Sequence, residues 1–185
     1  MLAPQPDVPL PDQNLRRALR AQTASQHQLL DDAVGSFATV EAYGRFVANS
    51  LAFRAPVERL VAQGKRWSLL PLADLMRADM ADLDVVPRRA AVFSMAPGGF
   101  GDIGVAYVLE GSALGARLLV RRAAALGYGA RYGARHLARQ VEDPARWKRF
   151  LALLETIPDR EAGAVVEGAV AAFAFALGVY TVEAA

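Results

Sequence analysis

Apolar residues recur along this chain at intervals of three and four, and strand-like alternation is short wherever it occurs. Leu15, Leu19, Thr23, His27, Leu30 and Val34 share one face of a helix expected from about 12 or 14 to 34, with Asp12 as its N-cap and Gly35 as its stop. Thr39 is placed to cap a second helix reaching to about 63. Tyr43, Phe46, Val47, Ser50, Leu51 and Leu60 form its inward stripe, and Pro56 is positioned to bend it. A short helix over 71–83, a loop-bearing stretch over 84–100 and a long helix over 100–126 follow. Gly127, Gly129 and Gly133 break the chain before a short helix over 134–141. Asp143-Pro144 reads as a cap with proline at the first helical position, opening a helix to about 156. The last helix runs from Pro158-Asp159 to near Tyr180, with Val165, Val166, Ala169, Val170, Phe173 and Leu177 as its stripe. The pattern predicts an all-α fold: one multi-helix domain over 13–183 behind a flexible Pro-rich leader at 1–12.

Composition narrows the chemistry. A chain of 185 residues, 54% hydrophobic, can bury one sizeable core. It has no cysteine, which removes disulfides, thiolate metal sites and cysteine nucleophiles. The net charge of +2, with arginine pairs scattered along the chain, gives no concentrated basic patch and therefore no nucleic-acid partner. Four prolines in the first 12 residues, without a positively charged opening, argue against a secretory signal. The most apolar stretch, 168–182, is bracketed by Glu167 and Glu183 and is shorter than the roughly 20 residues a membrane span needs. A soluble, cytoplasmic protein with no membrane span is expected. No Glu-x-x-His pair, phosphate-binding loop or Gly-x-Ser-x-Gly elbow occurs, and two histidines without cysteine do not furnish an all-protein zinc site.

Two features remain. His27 sits on the apolar face of the first helix, where it is either a core histidine bonded to a neighbour or a metal ligand. A ligand needs an acceptor to fix its other ring nitrogen, and Thr23, Gln26, Gln28 and Asp31 are all within reach along the helix. His136, beside glycines and arginines, reads as a surface residue. The second feature is Gly104, Gly111 and Gly115, seven and four apart on one face of the long helix. Each costs about 1 kcal/mol against alanine there. They serve either close helix packing or the approach of backbone to a flat ligand.

The segments Thr23-Ala-Ser-Gln-His27-Gln-Leu-Leu-Asp31 and Tyr107-Val-Leu-Glu-Gly111-Ser-Ala-Leu-Gly115 together resemble the bacterial branch of the biliverdin-producing heme oxygenases. Trp147-Lys-Arg-Phe150 and Val166-Glu-Gly-Ala-Val-Ala-Ala-Phe173 extend the likeness, which runs in order from about Leu15 to Tyr180. The resemblance implies an all-α bundle of the heme oxygenase type, with heme between a proximal and a distal helix. It implies His27 as the iron ligand, with Thr23 and Asp31 beside it. Gly111, Ser112 and Gly115 would be the distal catalytic backbone. Arg20 and Arg149 would meet the heme propionates, and Ala116 and Phe173 would line the pocket. Ser112 stands where many members carry an aspartate, and Ala116 where a second glycine is common, so its methyl narrows the distal side.

The implied reaction cleaves heme to biliverdin, carbon monoxide and ferrous iron, with heme as both substrate and cofactor. A ferredoxin or reductase would be the external electron donor, and a bilin-accepting protein a further partner. The alternative is a non-catalytic heme- or tetrapyrrole-binding protein of the same fold. A helical interaction domain without a cofactor is the third reading.

Overall fold

The computed structural model describes residues 15–62, 64–88, 92–95 and 99–181. The expected leader at 1–12 and the Asp12 cap lie outside these residues. Within them the chain forms α1 (Leu15–Val34), α2 (Val40–Val61), α3 (Ala73–Asp82), α4 (Gly101–Ala125), α5 (Arg135–Val141), α6 (Arg146–Leu154) and α7 (Ala162–Thr181). A 3-10 turn, Asp159–Glu161, leads into α7, and there is no β-strand among the described residues.

Local chemistry sets most of the ends. Gly35 stops α1 with φ +60°, a conformation that glycine adopts without strain, and its N–H returns to the Asp31 carbonyl at 2.9 Å. The Thr39 hydroxyl accepts the Ala42 N–H at 3.2 Å and caps α2. Other ends are set from a distance. The buried Glu58 of α2 accepts the N–H groups of Leu72 and Ala73 at 2.9 and 3.1 Å, so α3 starts at Ala73 rather than at Pro71. Asp143 accepts the Ala145 N–H at 3.1 Å, and α6 begins just beyond, at Arg146.

α7 is the spine. α4 and α1 both pack along it, yet make little direct contact with each other. The α4–α7 contact is backbone against backbone: a Cβ on Gly104 would lie 1.8 Å from the Val165 carbonyl oxygen, and one on Gly168 2.2 Å from that of Gly101. Gly104 therefore belongs to helix packing. Two apolar clusters flank this spine. One gathers Leu19, Val57, Ile103, Leu109, Phe150 and Phe173. The other gathers Tyr43, Val47, Leu51, Met76, Ala116 and Leu137.

The expectation of a stretch too short to span a bilayer is corrected. Both α4 and the segment Asp159–Thr181 are long and apolar enough to cross a membrane by length and composition. Less than half of each apolar window is buried, and that part packs against the other helix and in the two clusters.

Candidate functional site

Because α1 and α4 rest on α7 without closing on each other, a slot remains between them. It is a cavity of about 420 Å³, within the range typical of small-molecule sites, about 300–1,000 Å³. α1 contributes His27, Leu30, Asp31 and Val34. α4 contributes an unbroken run of helical turns from Tyr107 to Leu119 that includes Gly111, Ser112, Gly115 and Ala116. Phe173, Ala176 and Tyr180 of α7 lie along it, and α2, α3 and α5 complete it with Phe46, Ser50, Arg54, Met76 and His136 among others.

The α1 wall presents a histidine already oriented. His27 Nδ1 lies 3.0 Å from Asp31 Oδ2, one helical turn further on, and the side chain keeps 61% of its exposure. Its ring sits 5.8 Å from that of Phe173. Of the four acceptors the sequence offers, only Asp31 takes this role. Thr23 is buried and donates to the Leu19 carbonyl at 2.8 Å, Gln26 donates to the Val170 carbonyl at 3.4 Å, and Gln28 donates to Asp32 at 3.0 Å. An acceptor on Nδ1 leaves Nε2 as the ring atom for a ligand.

The α4 wall is bare of side chains where it matters. Among the described residues, a Cβ on Gly115 would meet nothing within 4 Å, and one on Gly111 would touch only the Trp147 ring, at 3.7 Å. The three glycines of the sequence pattern thus divide: Gly104 packs against α7, while Gly111 and Gly115 open on the cavity. Between them the Ser112 hydroxyl donates to the Leu109 carbonyl at 2.7 Å and accepts from Gln140 Nε2 at 2.6 Å. Ala116 is buried and also lines the cavity. Trp147 is held by ring contacts with Tyr107 and Phe150 at 5.6 and 5.9 Å, which ties α6 to this wall.

Arg20, Thr23 and Arg149 are not among the lining residues. Arg20 is exposed on α1, and it and Arg16 act electrostatically on the Tyr107 phenol, whose pKa is raised by burial and held back by these two guanidiniums. Arg149 pairs with Asp143 at the surface.

His136 is a correction. It is 1% exposed, not a surface residue, and it lines the cavity. Asp79 of α3 is the physical reason. One carboxylate oxygen accepts the Arg135 N–H at 2.9 Å, and the other accepts the His136 N–H at 3.0 Å and lies 2.7 Å from His136 Nδ1. Asp79 so caps α5 and holds the ring inward together. Burial alone would raise the Asp79 pKa, but these bonds from His136 and Arg135 outweigh it and hold the carboxyl below its ordinary value. Burial lowers the His136 pKa, against the opposing pull of Asp79.

Arg54, Gln140 and Tyr180 are cavity residues that the sequence did not announce, and Ser50 joins them from the inward stripe of α2. Ser50 and Tyr180 share a hydrogen bond at 2.8 Å, and burial pushes the Tyr180 phenol up to about 12. Arg54 is buried and paired with Glu58. A signal existed for Tyr180, seven residues beyond Phe173 and so on the same helix face. Arg54 and Glu58 lie one turn apart on α2, whereas the partner of Gln140, Ser112, lies on α4, and no local pattern announces that contact.

No protein-family model matches the chain. It is 39% identical over 162 residues to heme oxygenase PigA of Pseudomonas aeruginosa, covering 78% of this chain and 80% of that protein. A crystal structure of the NO- and CO-bound heme oxygenase from Neisseria meningitidis matches the fold with a TM-score of 0.75 at 27% identity, covering 91% of this chain and 90% of the other.

Proposed function

The chain belongs to the bacterial heme oxygenase family, and from that premise we propose that it opens heme to biliverdin, carbon monoxide and ferrous iron in the slot between α1 and α4. The observation that carries this reading is a pairing of walls: an oriented imidazole on one side and an α4 surface free of side chains at Gly115 on the other. A flat macrocycle needs both.

His27 is the iron ligand in this reading, and Asp31 fixes its ring through Nδ1. Phe173 packs beside the imidazole. Gly111 and Gly115 allow the α4 backbone to lie against the opposite face, and Ala116 limits the space next to it. Thr23 supports the site by back-bonding within α1, which keeps its hydroxyl away from the ligand. Arg20 meets a propionate at the rim near Tyr107, and Arg149 offers a second cation whose charge Asp143 already shares. Ser112 and Gln140 form a hydroxyl–amide pair that orders polar atoms on the distal side. Bound heme supplies the oxygen-activating chemistry, and the protein supplies orientation, exclusion of bulk water and placed proton donors. Electrons come from a ferredoxin or reductase, which a cytoplasmic location would provide, and the bilin passes to an accepting protein.

Hemin titration of the purified protein tests the reading. A Soret band at one-to-one stoichiometry, lost with formation of a bilin when reductant and air are added, is the expected result. A stable Soret band under those conditions would mean a heme carrier, the outcome that the Ala116 methyl in the cavity wall favours. No Soret shift at all would remove heme from the account.

A further inference from the structure

A second cavity lies on the face of α2 turned away from the slot. It measures about 470 Å³, against about 420 Å³ for the slot, so it has room for a ligand of the same size. Leu51, Ala55 and Leu60 of α2 give it an apolar wall, which Val92 and Phe93 extend from the stretch between α3 and α4. The Phe93 ring lies 5.1 Å from that of Phe175, which lies 6.0 Å from that of Phe53 in the slot. Packed rings therefore separate the two cavities, and both can be filled at once.

The polar part of the second cavity is cationic. Arg59 of α2, Arg77 of α3 and Arg88 of the stretch before α4 all line it, and no acidic residue is among its described lining residues. Asp74 pairs with Arg77 at 2.5 Å at the exposed start of α3. Arg88 is held in place by two neutral acceptors, Asn49 Oδ1 and the Val179 carbonyl, the latter at 3.2 Å. Pro56 adds an acceptor to these donors. It lies inside α2 and has no N–H, so the Ala52 carbonyl loses its usual donor, the N–H four residues on. Ala52 and Pro56 both line the cavity.

We propose that this cavity binds an open-chain tetrapyrrole dicarboxylate, the bilin class that heme opening yields. This rests on the reading of the slot as the place where heme opens, and it gives the product a second seat on the same chain. The chemistry of a bilin matches each part of the wall. Its two propionates meet guanidiniums, which bind carboxylates in a bidentate manner. Its rings lie against the apolar residues, as in most small-molecule sites. Its pyrrole and lactam N–H groups can donate to the Ala52 carbonyl, whereas in heme the iron occupies all four nitrogens. The cavity thereby favours product over substrate.

Biliverdin is the probe, added after the slot has been filled with gallium protoporphyrin, whose metal does not support ring opening. One further equivalent of biliverdin should bind, seen as induced circular dichroism in its visible bands, while the porphyrin stays in place. Arg59→Glu combined with Arg77→Glu should weaken this binding about tenfold and leave porphyrin affinity within about twofold of the parent. Pro56→Ala returns an N–H to α2 and should weaken biliverdin about threefold while raising Tm, a pairing that a merely loosened fold does not give. Biliverdin dimethyl ester should bind about tenfold more weakly than the acid, and palmitate should not displace the bilin. Absence of a second equivalent, or release of porphyrin in step with bilin uptake, overturns the proposal. So does equal affinity for ester and acid, or displacement by palmitate, which would make the cavity a site for apolar acids in general. If the charge-reversed variant does not fold, Pro56→Ala and the ester decide the matter. A parent that takes up no porphyrin would sink the reading of the slot separately, and biliverdin titrated into the empty protein, with the same variants and ester, still decides this site.

Discussion

A methyl group on Gly104 would sit 1.8 Å from the carbonyl oxygen of Val165, whereas one on Gly115, three turns further along the same helix, would meet nothing within 4 Å among the described residues. Two glycines of one sequence pattern thus answer to different constraints. Gly104→Ala forces two helix backbones apart and should destabilise the domain by about 1–3 kcal/mol. Gly115→Ala should leave stability unchanged or raise it by up to about 1 kcal/mol. Urea melts of the two variants distinguish these outcomes, and equal destabilisation would contradict the division.

Gly115→Leu carries the same relationship into function. Open space at that position means that the helical fold and Tm should persist, while hemin affinity falls at least tenfold because the side chain enters the slot. A leucine variant with parental hemin affinity would show that the ligand lies elsewhere.

Acid should loosen the fold through His136. Above its ordinary pKa of 6.5 the ring is neutral whether folded or unfolded, and no penalty arises. As pH falls below 6.5 the unfolded chain takes up a proton that the buried ring resists, so stability declines by at most about 1.4 kcal/mol per pH unit. Asp79 acts in the same sense at lower pH: its depressed folded pKa adds stability above its ordinary value of 3.8, and this is lost below it. Arg54 also disfavours the imidazolium, and Asp79 favours it. Between pH 7.5 and 5 the Tm of the parent should drop more steeply than that of His136→Gln. Parallel curves would exclude this coupling.

The two arginines should differ. Arg149 already shares its charge with Asp143, while Arg20 lies close enough to act on the Tyr107 phenol at the cavity. Arg20→Ala should weaken hemin binding about fivefold, in a salt-sensitive manner, and Arg149→Ala by less than twofold. Isothermal titration at two salt concentrations measures both, and a larger effect at Arg149 would reverse the assignment.

Features encoded within one helical turn were legible in the sequence. The Gly35 stop and the Thr39 cap are local, and the structure has both. The stripe from Leu15 to Val34 placed His27 on the face that meets the cavity, because one helix period suffices to read it. Features that depend on which element packs where were hidden. Asp79 and His136 are 57 residues apart, so nothing near His136 announces the carboxylate that buries it. Glu58 shifts the start of α3 from the far side of a loop in the same manner. The glycine pattern gave a face but not its neighbour, and only the position of α7 separates Gly104 from Gly111 and Gly115.

The identity of the iron ligand is the claim on which the account turns, since His27 and His136 both line the cavity and each has a carboxylate on Nδ1. The visible and resonance Raman spectra of hemin bound to His27→Ala, with and without added imidazole, test it directly. Loss or displacement of the histidine-ligated spectrum is expected, with recovery on adding imidazole, while His136→Ala keeps the parental ligation. An unchanged spectrum in His27→Ala, together with its loss in His136→Ala, would contradict it.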